Sequence, residues 1–158
     1  MSGFWLLKSE ESCFSIDDLA KDSKTMWDGV RNYQARNFMR DKMSVGDKVL
    51  YYHSNSNPMG VVGLAEVCSE PYPDFTAQDP TNDHYDPTAT KEKPIWMMVD
   101  VAFVEKFPRV VTLQEMKQRE DLDGMMVAQK GARLSVQPVS PEHFEIVCAL
   151  ARRGSDAS

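Results

Sequence analysis

From Ile95 to Val104 the residues alternate: Ile95, Met97, Val99, Val101 and Phe103 fall on one side of an extended chain, and Trp96, Met98 and Asp100 begin the other. Side chains of a strand point to opposite faces with a period of two, so this run reads as a strand with a strongly apolar face. Such a strand requires a sheet covered on at least one side, and the rest of the fold has to be arranged around it.

Other segments supply partners. Phe4 to Ser9 reads as a first strand and Lys48 to His53, entered through Gly46-Asp47, as another. Gly60 to Val67 is its expected antiparallel partner, with small Gly63 and Ala65 where a second backbone comes close. Arg133 to Gln137 alternates as a late strand with Arg133, Ser135 and Gln137 on one face. Helices interleave with these strands. Ser15 caps a short one to about Ala20, and Asn32 caps one through Asp41 with Ala35, Phe38 and Met39 at i, i+3, i+4. Thr112-Leu113-Gln114-Glu115 is a capping box, and Ser140-Pro141 opens a last helix with Phe144, Val147, Cys148 and Ala151 on one stripe. Irregular interleaving of this kind predicts an α+β domain around a mixed or antiparallel sheet, a barrel being one closed form. Residues 1–151 are expected to form one domain and 152–158 a disordered tail. Residues 70–94 hold five of the nine prolines and no periodic apolar pattern, so they are expected to be an irregular excursion or a lid.

Composition removes several classes of function. No apolar run reaches the length of a membrane span, and Phe4-Trp5-Leu6-Leu7 is too short for a signal-peptide core, which predicts an intracellular protein, cytoplasmic or nuclear. Cys13, Cys68 and Cys148 are too few and too scattered for a disulfide framework, and with His53, His84 and His143 they make no metal motif, so neither a metal nor a cofactor is expected. The net charge of −6 argues against strong sequence-independent binding to duplex DNA. From Lys21 to His53, however, seven basic residues face four acidic ones. A local patch of that kind can dock a few phosphates, or it can be an ordinary solvated face.

The same window holds the most unusual chemistry. Trp27-Asp28-Gly29-Val30-Arg31-Asn32-Tyr33-Gln34-Ala35-Arg36-Asn37 packs an indole, amides, guanidiniums and a glycine into one turn and helix start. Burying that many polar groups without partners is costly, whereas a site that stacks a planar ring and bonds its edge beside an anion uses them all. Trp27 has no periodic apolar neighbours that commit it to a core, and Gly29 permits close approach. Arg31 precedes a helix N-terminus, a natural anion site, and Arg36 and Arg40 repel each other four residues apart. A phosphate would relieve them, and so would Asp28 or Asp41. Two strand ends, Lys8-Ser9-Glu10 and Tyr51-Tyr52-His53-Ser54-Asn55, combine polar and aromatic groups. His53 with Ser9 or Ser54 could act as base and nucleophile, but no nucleophile elbow or triad motif supports it and no catalytic residue is assigned.

Taken with Trp5 to Glu10, Trp27 to Phe38, Tyr52-His53-Ser54, Gly63-Leu64, Tyr72-Pro73-Asp74, His84-Tyr85-Asp86-Pro87, Trp96 with Val99-Asp100-Val101, and Arg133 to Pro138, the chain resembles the EVE domain family along nearly its whole length. That resemblance implies a PUA-like fold, a mostly antiparallel, partly closed β-barrel with short helices around it, beside the YTH and ASCH domains. It also implies a non-catalytic module that binds DNA or RNA carrying a modified base, such as a modified cytosine. Carried over, Trp27 with Gly29 forms a stacking wall, and Lys8, Ser9, Asn32 and Asn37 supply polar contacts. Tyr52, His53 and Ser54 close another side, and Arg133 and Ser135 the floor; from the charge pattern itself, Arg31, Arg36 and Arg40 are the expected phosphate contacts. Relatives commonly read proline where this chain has Glu11, which frees the backbone after Lys8 and Ser9. The alternatives left open are an enzyme using His53 and Ser9 and an RNA-binding protein indifferent to modification.

Overall fold

The computed structural model describes residues 3–10, 14–27, 30, 32–54, 58–129 and 134–152. In chain order the elements are β1 (Phe4–Glu10), α1 (Ile16–Asp22), β2 (Lys24–Met26), α2 (Tyr33–Asp41), β3 (Lys48–Ser54), β4 (Gly60–Val67), β5 (Tyr72–Pro73), β6 (Met97–Met98), β7 (Asp100–Thr112), α3 (Leu113–Gln118), β8 (Val136–Pro138) and α4 (Pro141–Arg152). Six strands form one sheet in the order β2-β7-β4-β3-β1-β8, and β5 pairs with β6 apart from it. The sheet is mixed: β1 and β3 run parallel, and its other neighbours are antiparallel. It curls into a half-barrel with short helices around it, an α+β, PUA-like architecture.

Each face of the sheet covers its own core. On one side Trp5, Leu7, Val49, Tyr51, Val99 and Val101 pack with Ile16 and Leu19 of α1 and Ala35 and Met39 of α2. On the other, Leu6, Leu50, Tyr52, Phe107 and Val111 pack with Met116 of α3 and with Phe144, Val147 and Cys148 of α4. Alternation along β1 and β3 explains the division, since Trp5 and Leu7 go one way and Leu6 the other.

The helices begin where their caps predicted. Asp18 N–H donates to Ser15 Oγ at 3.1 Å and Ser15 N–H to Asp18 Oδ2 at 2.9 Å, a reciprocal capping box. Ala35 N–H donates to Asn32 Oδ1 at 3.0 Å, and Glu115 N–H to Thr112 Oγ1 at 3.0 Å. At Gly63 the close approach foreseen is real: a Cβ there would lie 2.6 Å from Ile16 Cδ1 and 2.7 Å from the Glu105 carbonyl oxygen. Nearby, between Val61 and Gly63, the partner in β7 jumps from Val111 to Lys106, the irregularity that lets the sheet curl.

Two expectations need correction. The alternating run is not one strand: β6 pairs with β5, β7 with β4 and β2, and Met98 and Val99 both enter the first core although they are consecutive. Only a change of chain direction allows that. Residues 70–94 are not structureless either. Asp74, Asp79 and Asp86 each accept from the N–H two residues on, at 2.9 Å, from Thr76, Thr81 and Thr88 in turn. This Asp-x-Thr motif, present three times in the sequence, is an Asx-turn signal that makes the chain its own scaffold. A small core of Ala77, Ala89 and Trp96 closes it, with Trp96 Nε1 donating to Asp86 Oδ2 at 2.6 Å.

Candidate functional site

Parallel pairing sets the C-terminal ends of β1 and β3 side by side, with Lys8 opposite Tyr52, Ser9 opposite His53 and Glu10 opposite Ser54. β8 arrives at the same end, where Lys8 N–H donates to the Ser135 carbonyl at 2.9 Å. Residues far apart in sequence, Lys8, Ser9, Tyr52, His53, Ser54 and Ser135, therefore meet at one rim of the sheet.

They do not share one face. Ser9, Tyr51 and His53 are directed to the entry of α1, which they lace down: Ser9 Oγ donates to the Phe14 carbonyl at 2.9 Å, Tyr51 OH to the same oxygen at 2.7 Å, and Ile16 N–H to His53 Nε2 at 3.1 Å. His53 is buried, and the nitrogen that accepts from Ile16 carries no proton, so the remaining ring proton sits on Nδ1. Burial pushes the Tyr51 phenol up to about 12, against a smaller opposing effect of its hydrogen bond with Ser9. The ring of Tyr51 meets His53 at 5.9 Å and 79° and Trp27 at 5.5 Å and 87°, both edge-to-face.

Trp27 departs from expectation. Its N–H donates to the Val99 carbonyl at 2.7 Å, which carries the chain beyond β2 inward over the sheet, and only 8 % of the residue is exposed. It belongs to the first core and is a fixed aromatic wall. Its neighbours Tyr51 and Val99 come from β3 and from the link between β6 and β7, so no periodicity around Trp27 could reveal them.

Lys8 and Tyr52 lie on the opposite side. Tyr52 is buried in the second core, and Lys8 Nζ stands 5.7 Å from its ring centroid. Burial holds the Lys8 ammonium below the usual lysine value and lifts the Tyr52 phenol above the usual tyrosine value. A single cavity lined by both pairs, as the resemblance implied, conflicts with the alternation of neighbouring residues. Gln137, two residues beyond Ser135, is buried, and its Nε2 donates to the Leu134 carbonyl at 2.8 Å.

On α2, Asn32 spends its carbonyl oxygen on the cap. Asn37 lies about 140° further round the helix, at roughly 100° per residue, so the two amides do not converge. Instead Asn37 Oδ1 accepts from Arg36 Nε and Nη2 at 3.1 and 2.8 Å, and Arg36 Nη1 reaches the Ile95 carbonyl at 2.9 Å. Arg40 is neutralised by Asp41 through contacts of 2.8 and 2.9 Å, which resolves the like-charge pair without a phosphate. Gly29, Arg31 and Arg133 lie outside the described residues. Phe14 carries no signal in the sequence, because its part is played by its backbone carbonyl at the α1 entry, and Tyr51 and Tyr33, though within the two runs noted, are not among the expected pocket residues. Among the described residues no three of His, Cys, Asp and Glu gather to hold a metal ion, and no helix is long and apolar enough to cross a membrane.

Residues 3–150 match the EVE domain. Human thymocyte nuclear protein 1 is 41 % identical over 171 residues, covering 97 % of this chain and 76 % of that protein. Its structure in complex with 5-methylcytosine-containing DNA superposes with a TM-score of 0.89 at 40 % identity, covering 95 % of this chain and 98 % of that one. A hypothetical protein from Leishmania major is 53 % identical with a TM-score of 0.92, covering 97 % and 96 %. A YTH domain from Zygosaccharomyces rouxii in complex with N6-methyladenosine RNA shares the fold at 16 % identity and a TM-score of 0.55, covering 98 % and 89 %.

Proposed function

The chain belongs to the EVE domain family, and from that premise we propose that it is a non-catalytic module that recognises a modified base in nucleic acid, a modified cytosine in DNA being the first candidate. The observation that carries this is the solved complex of the human relative with 5-methylcytosine DNA, similar to this chain along nearly its whole length. The pocket in this reading is built on the first face of the sheet rim, with Ser9, Trp27 and His53, and takes in Gly29, Arg31 and Asn32 as further contacts. Lys8, Tyr52, Ser54 and Ser135 support the rim from the other side or from its edge, and Arg133 is assigned to the same site. Trp27, fixed against Tyr51 in the first core, forms the wall of the pocket and meets a base only with the small part of its ring left open; full stacking on an aromatic side chain is worth about 1–3 kcal/mol per base. A base in a duplex has to leave the stack first, at a cost of a few kcal/mol. With a net charge of −6, affinity for plain polymer is expected to be weak and selectivity to come from the pocket. In this reading the protein works in the nucleus or the cytoplasm.

No observation favours the enzyme reading. The Nε2 that would take a proton from Ser9 accepts from Ile16 instead, and the Ser9 hydroxyl is held by Phe14. The test is fluorescence polarisation with matched DNA and RNA oligonucleotides, plain or carrying methylcytosine, hydroxymethylcytosine or methyladenine. One modified probe is expected to bind about tenfold or more above its plain counterpart, about 1.4 kcal/mol of discrimination. Equal affinities across the panel would refute the proposal.

A further inference from the structure

Among the described residues there are five arginines, and four of them grip a carboxylate: Arg40 with Asp41, Arg109 with Glu115, Arg119 with Asp121 and Arg152 with Glu105. Arg36 is the exception. Its three hydrogen bonds go to Asn37 Oδ1 and the Ile95 carbonyl, both neutral acceptors, so it is bonded to no carboxylate; Asp41, which feels its charge, is held by Arg40. Its guanidinium carbon lies 4.9 Å from the ring centroid of Tyr33, one turn earlier on α2. Tyr33 in turn lies 4.9 Å from Trp96 with the planes 31° apart, yet 58 % of Tyr33 is exposed. An aromatic residue left that open beside a guanidinium that no carboxylate grips has the two parts that a nucleotide recognises, a π-face for the base and a planar cation for its phosphate.

The arrangement is braced from behind. Trp96 is 5 % exposed, pinned through its indole N–H to Asp86, and packed with Ala77 and Ala89. The Asp-x-Thr segment that precedes it is thereby a buttress for α2, a role the lid expectation did not contain. Tyr33 directly follows Asn32, about 3.8 Å away along the backbone. A base resting on Tyr33 therefore suits the nucleotide next to one held at the rim.

We infer that Tyr33, backed by Trp96 and flanked by Arg36, is a stacking platform for an unpaired nucleobase adjacent to the base that is read, with Arg36 on its phosphate. The inference rests on the reader function proposed above and adds a second contact to it. The occupant is a nucleotide because the open ring and a guanidinium that no carboxylate grips occur together, which an apolar protein surface would not require.

The test uses a short single-stranded DNA carrying one 5-methylcytosine between adenines, and versions with an abasic site in place of the 5′ or the 3′ adenine. Tyr33→Ala is expected to weaken binding about tenfold and Tyr33→Phe by less than about twofold, because the ring alone does the stacking. One abasic probe should cost the wild type the same factor and cost Tyr33→Ala nothing further. Arg36→Gln should lower the dependence of log affinity on log salt by about 0.7, the share of one phosphate on a single strand. Thermal unfolding of each variant verifies that it is folded, as expected for an exposed side chain. Unchanged binding by Tyr33→Ala, or abasic penalties that persist in it, would overturn the platform. If plain and methylated probes bind alike while the Tyr33 and abasic effects coincide, the platform stands and the reader function fails. A methyl preference with no Tyr33 effect gives the reverse, and no binding to any probe removes both.

Discussion

Replacing Trp27 by alanine separates a core tryptophan from an exposed stacking residue. With 8 % of its surface exposed and its ring 5.5 Å from that of buried Tyr51, Trp27 is a packed side chain. Truncating a buried tryptophan costs about 3–5 kcal/mol, a large part of the roughly 5–15 kcal/mol that holds a domain folded. At about 2–4 °C per kcal/mol for a domain of this length, Tm should fall by roughly 6–20 °C. The bond from the residue 27 N–H to the Val99 carbonyl survives the substitution, so β2 keeps its connection to the sheet. The assay is thermal and urea unfolding followed by circular dichroism, with oligonucleotide binding measured well below the transition. Trp27→Phe, which retains an aromatic ring against Tyr51, should lose about 1–2 kcal/mol and keep part of the binding. A Trp27→Ala protein whose Tm stays within about 2 °C of wild type, under about 1 kcal/mol, would refute the placement of this indole in the first core.

Two further outcomes are expected. Asp47 is buried and its carboxylate accepts from Gly3 N–H at 2.7 Å, Trp5 Nε1 at 2.9 Å and Ser44 N–H at 2.9 Å. Asp47→Ala leaves three donors unpaired and should cost about 3–5 kcal/mol in urea unfolding, with Asp47→Asn intermediate because a single amide oxygen cannot serve both carboxylate positions. Tyr51, with its pKa pushed from 10.0 to about 12, should make the fold labile to alkali. Below pH 10 both states hold the phenol proton and this contribution is fully present. Between 10 and 12 the unfolded chain releases the proton first, so stability falls by up to about 1.4 kcal/mol per pH unit. Alkaline unfolding followed by tyrosinate absorbance checks this; Tyr51→Phe should flatten that part of the profile, and an unchanged slope would refute the assignment.

What the sequence determined by itself was local. Ser15, Asn32 and Thr112 start helices because a side-chain oxygen needs only the N–H three residues on, and Gly63 announces a backbone approach because it has no Cβ. The family was legible for a related reason: the run from Trp27 to Phe38 is unusual enough in composition to mark it, even though Trp27, Val30 and Ala35 pack in the first core. The three Asp-x-Thr turns were equally local and could have been read, but the prolines around them suggested irregularity instead. Tertiary structure decided everything that depends on which strand lies beside which. Parallel pairing of β1 with β3 brings Lys8 and Ser9 to Tyr52 and His53, and alternation then sends each neighbouring pair to opposite faces of the sheet. No pattern within either segment specifies that partner. Burial of Trp27 likewise depends on Tyr51 and Val99, and the exposure of Tyr33 on Trp96, contacts made across 24 to 72 residues of chain. Periodicity states that a residue has a face; only the packed sheet states what that face meets.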